Sequence, residues 1–118
     1  MTSEISVPAM VPAEIVASTR FGGRVRLDFG DGADMDMAKG EASALANVLS
    51  RVADGSMPCA RFNTRRREEY GADALVVQAL DDGVLMTLNR DTCEFYVEMC
   101  LKTSAVAELA RWLREASE

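Results

Sequence analysis

Shifted by 61 residues (103 − 42), the chain partly matches itself, and this repeat constrains its fold more than any other feature. "RVRLDFGDGADMDM" falls on "GVLMTLNRDTCEFYVEM", and "EASALANVLSRVADG" falls on "TSAVAELARWLREAS". Ala42, Ala44, Ala46, Val48 and Val52 then lie over Thr103, Ala105, Ala107, Leu109 and Leu113. Few positions are identical. What recurs is the order of signals: strand, glycine-ended turn, strand, turn, strand, helix. The reading is an α+β protein of two β-β-β-α units, the first over 13–55 and the second over 73–118, with a linker at 56–72. Strands joined by short turns pair antiparallel. The expectation is therefore one largely antiparallel sheet of about six strands with both helices packed on one face. A span of this length, 13–118, suits a single domain. Residues 1–12 carry Pro8 and Pro12 and lack a basic start and an apolar core. They read as a flexible N-terminal arm and not as a signal peptide.

Side-chain alternation sets the faces of the strands. In "RVRLDF", Val25, Leu27 and Phe29 oppose Arg24, Arg26 and Asp28; in "ADMDM", Met35 and Met37 oppose Asp34 and Asp36. A three-residue loop at 30–32, with Gly32 left-handed, pairs Phe29 with Ala33, Leu27 with Met35 and Val25 with Met37. All apolar residues then share one face. Arg26 lands opposite Asp36, and Asp28 lands opposite Asp34, a repulsion unless an arginine reaches across. Asp28, Asp34 and Asp36 are thus a solvated strand face. A calcium loop would sit between helices and end in a distant Glu, so no metal is assigned to them. The triplet Asp28-Phe29-Gly30 also marks kinases, but there is no room for a lysine strand and a catalytic loop in 118 residues.

The same reasoning in the second half treats "DDG" (81–83) as a three-residue loop and "NRDT" (89–92) as a four-residue loop. Leu88 then pairs with Cys93, Met86 with Phe95 and Val84 with Val97, on the inner face. The outer face carries Val77, Leu85, Thr87, Glu94, Tyr96 and Glu98, with Leu75 and Ala79 behind. Val77, Leu85 and Tyr96 together are too apolar for an idle solvent face. They are the predicted partner-binding surface, most simply that of a symmetric homodimer.

Ala42, Leu45, Leu49 and Val52, widened by Ala46 and Val48, make the stripe of a first helix over 40–53, closed by Gly55. Val106, Leu109, Ala110 and Leu113 make the stripe of a second, which Thr103 or Ser104 caps. Trp112, the sole tryptophan, lies at its edge and reads as core or rim packing. In the linker, "PCARF" suits an extra short strand. "NTRRREEYG" suits a short helix or loop headed by Asn63 or Thr64. Arg65, Arg66 and Arg67 form the one basic cluster, a second candidate contact surface for phosphate or carboxylate.

The chemistry available is narrow. The chain has no histidine, so the commonest general base and metal ligand is missing. Cys59, Cys93 and Cys100 match no zinc or redox spacing and read as buried free thiols of a cytoplasmic protein. No apolar run reaches the length of a membrane span. A net charge of −6 makes a poor general binder of nucleic acid. Duplicated strand-rich repeats followed by a helix also occur in some folds that bind single strands by stacking bases along a basic groove. An acidic chain that is 6% aromatic argues against that use. The functional expectation is a small acidic cytosolic protein-binding module, neither enzyme nor cofactor carrier: an inhibitor, an immunity or anti-defence factor, or a regulatory protein with an unknown protein partner. The alternative is a small-ligand or nucleic-acid binder working through Arg65–Arg67.

Overall fold

The chain runs through four strands and a helix, twice. A computed structural model describes residues 4–9, 14–30, 33–65, 72–90 and 95–118, with the backbone alone at 65, 72, 73, 90, 95 and 96. The first half comprises β1 (Glu4–Pro8), β2 (Glu14–Arg20), β3 (Arg24–Gly30), β4 (Ala33–Met37) and α1 (Lys39–Ala53). The second comprises β5 (Cys59–Arg65), β6 (Ala72–Leu80), β7 (Gly83–Arg90), β8 (Phe95–Leu101) and α2 (Thr103–Ala116). The α+β class holds, but each unit has four strands where three were expected.

Both added strands come from segments read as connections. Residues 4–8, expected to be a loose arm, pair with β2 from Glu4↔Ser18 to Pro8↔Glu14 and bury Val7. Pro8 ends an edge strand, where its missing N–H does no harm. In the linker, β5 runs past "PCARF" to Arg65, so Asn63 and Thr64 are strand residues and cap nothing.

The strands form two antiparallel sheets, β1-β2-β3-β4 and β5-β6-β7-β8, in place of the single sheet expected. Width supplies the reason. Eight strands side by side would span roughly 35 Å at ~4.8 Å each, and two helices in contact cover only about 20 Å. Both sheets bury apolar residues in one cluster with the two helices. The helices therefore do not line one face of one sheet. They pack on each other; α1 also lies against β3, β5, β6 and β7, and α2 against β1 and β7. A single buried cluster joins both halves, from Val7, Phe29 and Met35 through Leu45 and Leu49 to Met86, Leu109 and Leu113. No helix among the described residues is long and apolar enough to cross a membrane.

In the first half the expected pairing is the observed one: Val25↔Met37, Arg26↔Asp36, Leu27↔Met35 and Asp28↔Asp34. Phe29 bulges, Gly30 takes its place opposite Ala33, and Gly30 is left-handed (φ 86). Asp31 and Gly32 lie outside the described residues. The repulsion between Asp28 and Asp34 is relieved on both sides. The Arg26 guanidinium reaches diagonally to the Asp34 carboxylate, and the Gly30 N–H donates to Asp28 Oδ1 at 2.9 Å.

In the second half both turn readings fail, and Asn89 and Arg90 are paired strand residues, not part of a loop at 89–92. Leu80 pairs with Gly83, so the β6–β7 loop is the two residues Asp81 and Asp82. Gly83 is not left-handed. It is needed for close approach: a Cβ there would lie 2.4 Å from the Leu101 carbonyl oxygen. One residue fewer in the loop turns β6 over relative to β7. Leu75 and Val77 thereby join Met86 and Leu88 in the core, each 0% exposed. The β7–β8 register is Val84↔Leu101, Met86↔Met99 and Leu88↔Val97. It slips by four positions from the expected one (84 + 101 against 84 + 97), and an even slip keeps the same faces inward.

Both apolar stripes lie where expected, with Ala42, Leu45, Ala46, Leu49 and Val52 buried in α1 and Val106, Leu109, Ala110 and Leu113 in α2. Trp112 is buried with them. At the α1 C-terminus Gly55 (φ 83) reverses the chain, and the Ser56 N–H donates to Asp54 Oδ1 at 2.8 Å. The Ser56 side chain first, then this backbone bond, with a smaller contribution from Arg51, hold the Asp54 carboxyl below its ordinary value. At the start of α2 neither Thr103 nor Ser104 caps; Lys102 occupies the cap position with no side-chain bond.

Candidate docking site

The surface with the strongest local anomaly is the β2–β3 turn. Arg20 pairs with Arg24, and Phe21, Gly22 and Gly23 close the loop between them. Gly22 and Gly23 both have φ 78, so two consecutive residues are left-handed, which side chains with a Cβ resist. The Lys39 side chain lies over the turn; a Cβ on Gly23 would meet Lys39 Cε at 3.1 Å. The glycines thus let the chain take this turn without strain, and the first residue of α1 lies over it from outside. At its tip Phe21 is 101% exposed. Among the described residues, Leu80 at 47% is the other large apolar side chain left exposed.

Beside this turn lies a groove of about 480 Å³. Thr19 and Gly23 form one wall, Lys39 a second, and Trp112, Glu115, Ala116 and Glu118 the third. The turn places one wall, and the meeting of the two helices places the others. Lys39 Nζ donates to the Glu118 carbonyl oxygen at 3.3 Å, and Arg114 donates to Ser50 Oγ at 3.1 Å. These bonds tie α1 to the end of α2. Trp112 is 5% exposed and presents little more than an edge to the groove. A smaller hollow of about 250 Å³ lies under the β6–β7 turn, between Leu80, Asp81, Asp82, Gly83, Val84, Cys100 and Leu101.

The predicted docking residues are dispersed. Val77 is core, for the reason given by the short β6–β7 loop. Leu85 is on the outer face as expected, half-buried, between Gln78 and Cys100. Tyr96 has its backbone in β8, opposite Asn89, and its side chain lies outside the described residues, as does that of Arg65 at the end of β5. Arg66 and Arg67 lie outside them altogether. With Val77 removed, the outer face of the second sheet is mixed. It carries Arg61, Asn63, Gln78, Thr87, Asn89 and Glu98 around Val76 and Leu85.

Other chemistry is sparse. Among the described residues no group of three or more His, Cys, Asp or Glu side chains could hold a metal ion. Cys59 is exposed and Cys100 half-buried, so neither is the buried thiol expected; both are free, and Cys93 lies outside the described residues. Phe21 is not among the docking residues expected from the sequence. The signal was present in "RFGGR", an aromatic residue beside two glycines between two arginines.

Fold and surface together describe an α+β chain of two four-strand-plus-helix units that share one core, with an aromatic-tipped turn beside a groove. No protein-family model, curated protein or solved structure matches this chain.

Proposed function

We propose that this protein is a non-enzymatic protein-binding module that docks through the Phe21 turn and the adjoining groove. The observation that carries the reading is the full exposure of Phe21 beside two left-handed glycines at the β2–β3 turn. Leaving a phenyl ring in water forgoes about 2 kcal/mol of burial. Placing Arg20 directly opposite Arg24 sets like charges against each other across a strand pair. Two local rules are broken at one turn, the pattern expected where function and folding compete. An aromatic side chain fully exposed in the free protein gains its burial only when a partner covers it, which suits a hot spot. The role fits an inhibitor, an immunity or anti-defence factor, or a regulatory subunit.

The test is to install a photo-crosslinking phenylalanine analogue at position 21 and identify the captured peptide by mass spectrometry. The expected result is one dominant protein sequence, lost when the same analogue is moved to position 80. Equal, diffuse labelling from both positions would refute the reading.

A further inference from the structure

Anchor and receptor lie next to each other on this molecule, and that adjacency specifies the partner. A two-fold interface brings the same patch of surface together twice, so each protruding group must face a recess on the same patch. Thr19 and Gly23, at the base of the Phe21 turn, are also a wall of the groove. A two-fold axis passing between turn and groove would carry Phe21 of one copy into the groove of the other, and the reverse. At about 480 Å³ the groove is ample for one phenyl ring. We infer that the chain forms a symmetric homodimer by reciprocal insertion of Phe21 into the groove walled by Trp112. This deepens the protein-binding reading, on which it rests, by naming a second copy of the chain as the partner.

Charge supports the same occupant. The neck of the turn carries two exposed arginines, Arg20 and Arg24. The α2 wall of the groove carries two exposed carboxylates, Glu115 and Glu118, against the single cation Lys39. Crossing the two-fold axis sets the cationic element of each copy against the more acidic wall of the other. Within one copy the arginines only face each other; in the pair they gain opposite charges, which would offset their local repulsion. An acidic chain also repels unrelated copies of itself, so a dimer needs local complementarity of this kind.

The experiment is sedimentation equilibrium of the full chain, with the fluorescence of Trp112 followed over the same concentration range. The wild type is expected to dimerise, with a concentration-dependent shift of Trp112 emission as the partner's Phe21 enters the groove. Phe21→Ala removes two anchors per dimer and is expected to weaken association by about a thousandfold, a factor of tens for each hot spot, with unchanged circular dichroism. Arg20→Glu with Arg24→Glu is expected to weaken it, and adding Glu115→Arg with Glu118→Arg to restore it in part. A wild type that stays monomeric at high concentration would overturn the homodimer; loss of crosslinked partner on moving the analogue from position 21 would still stand for the broader reading. A dimer that Phe21→Ala leaves intact, or that forms with no change in Trp112 emission, would also overturn it.

Discussion

Gly83→Ala tests the turn that decides which face of β6 is core. The added Cβ would lie 2.4 Å from the Leu101 carbonyl oxygen, whereas ordinary contact begins at 3.4 Å. The strand start must therefore move by about 1.0 Å (3.4 − 2.4) against backbone, not against a side chain that can rotate away. Val84 and Leu101, paired at that place, are both buried, so the movement opens a packed region. Overpacking of this kind costs about 1–3 kcal/mol, and a loosened ladder bond about 1 more. Replacing a glycine returns about 0.5–1 kcal/mol by restricting the unfolded chain. The net loss is about 2 kcal/mol, or roughly 8 °C in Tm for a chain of this size. Urea unfolding followed by circular dichroism measures it as a lower midpoint at unchanged slope. Gly30→Ala is the comparison: nothing lies within 4 Å of its Cβ, so it loses only the cost of a left-handed alanine, about 1 kcal/mol. A Gly83→Ala protein within about 0.5 kcal/mol of the wild type would refute the close approach, and with it the two-residue loop and the inward Val77.

Two further outcomes follow from the same structure. Val77→Asp places an unpaired charge in the core and is expected to abolish folding, whereas Leu85→Asp is expected to leave a folded protein within about 1 kcal/mol of the wild type; thermal melts of both separate the faces of the second sheet. The Asp54 carboxyl, held low chiefly by Ser56, favours the folded state fully above its ordinary value of 3.8 and loses that contribution as pH falls through the lowered folded value. Asp54→Ala is therefore expected to lower the urea midpoint slightly near neutral pH and not in strong acid; an equal difference at both would exclude the carboxylate as its source.

The first half was legible almost residue by residue because "RVRLDFGDGADMDM" alternates without exception. Only registers of one parity gather Val25, Leu27, Met35 and Met37 on one face, and the short turn selects among them. The second half offers no such check. "DALVVQAL" has apolar residues of both parities, so the pattern alone accepts Val76 or Val77 as the inward side chain, and the loop length decides. A glycine after two aspartates suits a left-handed third position, and Gly83 serves close packing instead. β1 was obscured by its proline, and the extension of β5 beyond the short strand expected at "PCARF" by the cap-like Asn63 and Thr64. The candidate site was less legible than the fold. Exposure of Phe21 follows from where the turn ends, and the groove beside it exists only once the two helices have met.

The crossed packing of the helices makes the two halves unequal to independent life. Most of what α1 leans on belongs to the other half, and α2 supports β1, the first strand of the chain. Cut between its repeats, the chain would yield two pieces, each missing the helix that closes part of its sheet. One piece alone is half of an exchanged pair, and the peptide between the repeats does the work that subunit association would otherwise do. Tethering raises the local concentration of each half for the other and removes the dilution penalty of a true dimer. It also frees the halves from having to be alike. A surface that must fit its own image changes at two places with every substitution; here each side of the seam changes alone. The two halves are indeed unlike at this place, where "RFGGR" in one stands against "LDDGV" in the other. The aromatic tip arises on one unit without a copy on its twin.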